Sequence, residues 1–177
     1  MQVKKPWFRS EDIATYKSNG SLPNSHLPVL IYRRAIDFGN YDALESQLQL
    51  SAHISTNDWY VDWLASIYKK THYHSNAHEA LAIFRGEADL ALGGNKGHIF
   101  TVSAGDVVFI PAGVGHRRVS SSMGFLVFGL YPNGQKWNMR WVGKRKYPNA
   151  KREIAKVPIP KKDPLYGSVG LLLKHWK

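Results

Sequence analysis

From Ala77 onward, short apolar runs alternate with turn residues at close, regular spacing, and this constrains the fold more than any other feature. The runs are 79–84, 88–92, 98–102, 107–110, 116–120 and 125–130. Between them lie Gly86, Gly93-Gly94-Asn95, Ala104-Gly105-Asp106, a turn over 111–115 with Pro111 and Gly113, and Met123-Gly124. Many short strands joined by such turns predict an all-β, antiparallel sandwich or jelly roll. The stretch 93–97 is glycine-rich, but it lacks the spacing of a phosphate-binding loop and no helix follows, so it reads as a hairpin turn. Runs 80–84 and 125–130 are apolar at consecutive positions. A strand with one wet face alternates, so both faces of these strands are expected to be covered, by the N-terminal arm, the C-terminal segment or a second subunit.

The polar residues inside this framework are unusual. His72 and His74 are two apart, so in a strand they project to the same side. Glu79 opens the next apolar run, and His116 follows the 111–115 turn. Three imidazoles and one carboxylate can therefore meet inside one small barrel and hold a single divalent metal. Nitrogen and oxygen ligands without sulfur suit Fe, Mn, Ni, Zn or Cu alike. Four protein ligands leave one or two open positions where substrate, water or dioxygen could bind.

These segments resemble the paired signatures of the cupin superfamily. The first signature, G-x5-H-x-H-x(3,4)-E-x6-G, is matched from His72 to Gly86, with Ser66 in place of the opening glycine. The second, G-x5-P-x-G-x2-H-x3-N, is matched by Gly105, Pro111, Gly113 and His116, with Ser120 in place of the asparagine. Leu22-Pro23-Asn24, the stretch 72–79, Asp163-Pro164-Leu165-Tyr166-Gly167 and Trp176 are similar to small bacterial YjlB-type cupins. The resemblance implies a cupin-type jelly-roll barrel, a metal on His72, His74, Glu79 and His116, and a homodimer; it does not imply one reaction.

At 177 residues the chain suits one domain. Residues 1–58 are expected to form an arm and a short helix, 59–131 the barrel core, and 132–177 a basic, irregular extension. Proline and Asn-Gly punctuation leaves the arm, 1–27, little regular structure, and 27–32 reads as a strand added to a barrel edge. Ala43, Leu44 and Leu48, after Asp42, predict a helix over 41–50. Aromatic and β-branched residues predict a strand over 59–70. The terminal run 170–176 is apolar enough to dock back onto the body.

No apolar run approaches the ~20 residues that cross a membrane, and no apolar stretch follows the early lysines, so a cytoplasmic protein without membrane association is expected. There is no cysteine, hence no disulfide or thiolate site. The net charge of +11 is uneven. Residues 1–134 carry twelve Lys/Arg against eleven Asp/Glu, whereas 135–162 carry ten against Glu153 alone. Trp137, Trp141 and Tyr147 are interleaved with this basic tract, but no nucleic-acid-binding motif accompanies it. A solvated surface is expected there, with nucleic acid an unlikely partner.

Alternation extends the site. Tyr68 and Lys70 share parity with His72 and His74, Leu81 and Ile83 with Glu79, and Arg118 with His116. Tyr68 and Arg118 are the candidate catalytic residues, Tyr68 as a proton source and Arg118 as a planar fork for a carboxylate or phosphate. Leu81 and Ile83 would make an apolar wall. His78 is expected to point away from the ligands, and His26, His53, His98 and His175 to be structural or on the surface. The expected function is a metal-dependent enzyme acting on a small, possibly anionic, organic molecule: a dioxygenase, isomerase or decarboxylase. The alternative is a non-catalytic ligand-binding module whose basic segment meets an acidic partner.

Overall fold

A computed structural model describes residues 1–20, 22–143 and 147–177. Lys144, Arg145 and Lys146, the densest part of the basic tract, lie outside the described residues. In chain order the elements are β1 (Gln2–Val3), β2 (Ile13–Tyr16), β3 (Ser25–Tyr32), β4 (Ile36–Asp37), α1 (Ala43–Ser55), β5 (Trp59–Ala65), β6 (His72–Tyr73) and β7 (Glu79–Arg85). Then follow β8 (Glu87–Leu92), β9 (His98–Ser103), β10 (Val107–Ile110), β11 (His116–Ser121), β12 (Leu126–Pro132), β13 (Arg140–Trp141), α2 (Ala150–Ile154) and α3 (Leu172–His175). Every strand expected after Ala77 is present, within one or two residues of its expected ends.

Two antiparallel sheets carry the fold, ordered β2-β3-β10-β7-β12-β5 and β13-β6-β11-β8-β9, beside the small β1–β4 pair. Leu81 and Ile83 of β7, Val108 and Ile110 of β10, and Val127 of β12 pack against Leu90 and Leu92 of β8 and Phe100 and Val102 of β9. This is the core between the sheets. The alternate residues Ala80, Ala82, Phe84, Phe109 and Phe128 face the other way, onto Leu50 and Ile54 of α1, Trp59, Leu165, Leu172 and Trp176. The consecutive apolar runs thus have both faces covered within one chain, by α1 and the C-terminal segment.

The C-terminal cover is fastened by polar contacts. Trp176 Nε1 donates to Pro28 O at 2.8 Å. Tyr32 donates to the buried Asp163 at 2.5 Å and accepts from the Leu172 amide at 2.6 Å. Docking of the terminal run is therefore as expected. No helix among the described residues is long and apolar enough to cross a membrane.

Three local expectations need correcting. The arm is more regular than its prolines suggest, because β2 hydrogen-bonds to β3; β3 is therefore interior and β2 forms the edge. Helix α1 starts where Asp42 caps the Glu45 amide at 2.9 Å but runs on to Ser55. Its inward stripe is Ser46, Leu50 and Ile54, while Leu44 and Leu48 are 69% and 62% exposed. The later leucine and isoleucine, four apart, select the buried face. The strand expected over 59–70 ends at Ala65, and the chain loops before β6.

Candidate metal centre

The two sheets open at the end where β6, β7 and β11 begin, and each of these starts contributes a polar side chain. His72 and His116 are direct cross-strand partners. His74 follows β6, and its carbonyl accepts from the Gly113 amide at 2.7 Å. Gly113 has φ +91°, and a Cβ there would lie 2.6 Å from Asn24 O, so the turn that delivers His116 requires glycine. Glu79 leads the inward-facing row Glu79, Leu81, Ile83, as the period of two demands.

Each ligand-type histidine is held at Nδ1 by a backbone carbonyl: His72 by Lys70 at 3.0 Å, His74 by Asn138 at 2.5 Å and His116 by Val114 at 3.1 Å. A carbonyl can only accept, so Nδ1 carries the proton and Nε2 presents a lone pair. Ligand atoms of these three buried histidines lie within 4.8 Å of one another. Glu79 sits 3.5 Å from His74 Nε2 and 3.2 Å from His116 Nε2. Its Oε2 has no hydrogen-bond partner among the described residues. Acceptors facing acceptors in a buried site are stable only with a shared proton or a cation between them. The residues therefore fit a divalent ion with nitrogen and oxygen donors.

Without an ion, the electrostatics describe the shared-proton alternative. Burial, reinforced by His116, pushes His72 down to about 3, so its ring is neutral. Burial also opposes charge on His74, but the Glu79 carboxylate outweighs it and holds His74 above the ordinary value. Glu79 lies well below the usual carboxylate range: its burial acts upward and the contacts with His74 and His116 overcome it. Tyr131, pushed up by burial and by Glu79, stays protonated and donates to Glu79 Oε1. Trp63 Nε1 donates in turn to the Tyr131 oxygen at 3.0 Å.

His74 is buttressed from the C-terminal segment. Its carbonyl partner Asn138 donates its backbone amide to Asn76 Oδ1 at 2.8 Å, and its side-chain Oδ1 accepts from the Ser75 amide at 2.9 Å. Ser75 Oγ donates to Glu153, which also takes Arg140 at 3.0 Å. The single acid of the basic tract is thus used to brace a site residue.

Above the four residues lies a cavity of about 250 Å³. Leu81 lines it, whereas Ile83 packs deeper between the sheets. Tyr68 stands at the rim, 56% exposed, with its ring edge-on to His72 at 5.5 Å. Lys70 is outside the cavity, with its ammonium over the Trp141 ring at 5.4 Å. Arg118 also falls outside the lining. It pairs with the inward Leu90, so its parity is as expected, but Nε donates to Ile67 O at 3.2 Å and the guanidinium reaches Ser121 Oγ. Because β5 stops at Ala65, the Ile67 carbonyl is left for Arg118 to take. Sequence reasoning missed Asp62, Trp63, Tyr131 and Trp137, which all line the cavity. Tyr131 was findable, since Val127 points inward and Tyr131 lies four residues on in the same strand.

His78 is buried but turned away, as expected. Its Nδ1 accepts from the Ala112 amide at 3.0 Å, and its ring lies 4.7 Å from Trp176. Burial, with His26 adding, pushes it down to about 4 from 6.5. A depressed histidine binds fewer protons folded than unfolded, so its contribution is complete above the unfolded value and is lost as pH falls toward the folded one. From this group, stability should drop by about 2 kcal/mol between about pH 7.5 and about pH 5. His78→Asn, whose carboxamide can still accept from Ala112, should flatten that slope in urea titrations of the metal-free protein. An unchanged slope would refute the assignment.

A cupin-domain family model matches residues 66–124, the span holding all four residues. The chain is 34% identical over 163 residues to YjlB of Bacillus subtilis (strain 168), described as an uncharacterised protein, covering 91% of this chain and 93% of that one. Solved structures with some likeness include a Bacillus subtilis oxalate decarboxylase (17% identity, 78% of this chain, 32% of that chain, TM-score 0.38). Another is vicilin from Solanum lycopersicum (13% identity, 86% of this chain, 38% of that chain, TM-score 0.40). The chain thus spans about a third of the length of these two structures. With that identity running through nearly all of both sequences, the chain belongs to the cupin family that includes Bacillus subtilis YjlB.

Proposed function

We propose that this protein is a metal-dependent enzyme acting on a small organic molecule inside the barrel. His72, His74 and His116 bind the ion through Nε2, and Glu79 supplies the fourth ligand. The observation that carries this reading is the convergence of three Nδ1-anchored imidazoles with a partnerless carboxylate oxygen at the floor of a cavity. A divalent ion so held supplies Lewis acidity to whatever donor atom enters the open position.

The chain's own residues do the rest. The three carbonyl contacts fix ring orientation, which keeps the lone pairs directed at one point. Tyr131 holds one oxygen of Glu79 and leaves the other facing the site. Apolar walls keep bulk water from competing for the open position. Tyr68 stands where an entering molecule passes.

The test is elemental analysis of the purified protein, followed by Co(II) exchange and azide titration. About one metal per chain is expected, with a visible Co(II) spectrum that shifts on azide binding. A spectrum indifferent to azide would indicate a closed coordination sphere and favour a binding module. Failure to retain any of Fe, Mn, Co, Ni, Zn or Cu would overturn the metal reading itself.

A further inference from the structure

We infer that the cavity takes a small aromatic ligand carrying at most one negative charge, and that Trp137 sets the length of ligand it admits. This rests on the metal reading above for the ligand's donor atoms, but not for its body.

The walls indicate the body. Trp63, Tyr68, Tyr131 and Trp137 surround the space with Leu81 and Met139. Aromatic faces and a thioether favour a flat π-system over a compact polar one.

Charge sets the second limit. Among the described residues lining the cavity there is no lysine or arginine; the carboxylates of Asp62 and Glu79 are its acidic groups. Arg118, which shares parity with His116, is tied to Ile67 O and Ser121 instead. A divalent ion with Glu79 as ligand leaves one positive charge for the incoming molecule. A dicarboxylate would bring a second negative charge with no cationic side chain to receive it and with Asp62, exposed at the cavity's edge, as its neighbour, and like charges repel even where water screens them.

Trp137 sets the third limit. Its indole N–H donates to Asp62 at 2.7 Å, and its ring lies nearly parallel to Tyr131, 19° apart in plane with centroids 6.0 Å apart. Beyond it is a second recess of about 350 Å³, formed by Tyr60, Asp62, Gly134, Gln135, Lys136 and Trp137 itself. Asp62 and Trp137 line both spaces, so the hydrogen-bonded pair is the partition between them. Removing the indole should join the recesses and admit a second ring.

The test uses the full chain loaded with Co(II) or Fe(II), its metal content measured on each sample. 4-Nitrophenol, a monoanion at most, is the probe for a single ring, 4-hydroxybiphenyl for two rings, and oxalate for a dianion. Wild-type protein should bind 4-nitrophenol at least about 10-fold more tightly than oxalate or the biphenyl, read from probe absorbance and tryptophan quenching, with oxalate read by displacement of the probe. Trp137→Ala should gain about 10-fold for the biphenyl. Asp62→Asn, which keeps an acceptor for Trp137, should narrow the discrimination against oxalate by about 3-fold even if the Trp137 variant fails to fold. If no metal is retained, quenching of tryptophan by 4-nitrophenol in the metal-free protein is the readout, so loss of the metal reading remains distinct. Oxalate bound as tightly as 4-nitrophenol, no quenching by 4-nitrophenol, or no gain for the biphenyl in a folded Trp137→Ala protein would overturn the inference.

Discussion

His116→Ala should strip the site of metal. The imidazole is one of three whose Nε2 atoms converge, and it is the nearer of the two that face Glu79, at 3.2 Å. Its loss removes a ligand and also the ring packed against His72, 4.2 Å away between centroids. Changing even an outer partner of a ligand costs 10–100-fold in affinity, so removing a ligand should cost about 100-fold or more. A metal present at about 1,000 times its dissociation constant stabilises a fold by about 4 kcal/mol, and most of that increment should vanish with it. Two readouts check this: metal per chain after dialysis, and the rise in Tm when metal is added back. His74→Ala should behave alike, whereas His78→Asn should keep its metal, because His78 packs against Trp176. Full occupancy in both alanine variants would mean that the centre has been misplaced.

How much of this was legible follows from where period and spacing operate. Glu79, Leu81 and Ile83 could be placed inward because β7 is buried on both faces and its side chains alternate without interruption. The histidines could be grouped because two of them share a strand parity and the third follows a turn that only glycine allows at position 113. Arg118 shows the limit: its parity was right, but a long side chain goes where its hydrogen bonds are, and the end of β5 left a carbonyl within reach. Trp137 and Asn138 lie in an irregular stretch between β12 and β13, where no periodicity says which way a residue points. Both contacts, Trp137 to Asp62 and Asn138 to His74, span more than sixty residues. Such pairings are products of the assembled fold. The exposed Leu44 and Leu48 mislead for a related reason, since α1 is oriented by Leu50 and Ile54 against the back of the sheet.

Arg33→Leu should cost about 3–5 kcal/mol, a large share of the ~5–15 kcal/mol that holds a domain folded. Arg33 follows β3, and its guanidinium reaches Asp12 at 2.5 Å, Asp106 at 2.9 Å and Thr101 O at 2.7 Å. The three side chains are 7%, 0% and 6% exposed. One planar fork therefore ties the N-terminal arm and the β9–β10 turn to the sheet, which helps explain why the arm is ordered at all. Leucine would fill part of the volume but leave two buried carboxylates with backbone donors only: Arg9 N for Asp12, and Arg34 N and Ser103 N for Asp106. The cost is chiefly that of stranded charge, so Arg33→Lys should recover only part of it, a single ammonium being unable to span the same acceptors. Replacing Asp12 together with Arg33 by apolar residues should recover more than the lysine does if desolvation dominates. Urea unfolding followed by circular dichroism reads all three variants. The cluster lies at the Asp106 end of β10, opposite the turn at 111–115 that precedes His116, so metal content in the folded fraction should stay near wild type. A loss below about 1 kcal/mol, the scale of an exposed ion pair, would show that water reaches the carboxylates and that the arm is held by its strand pairing instead.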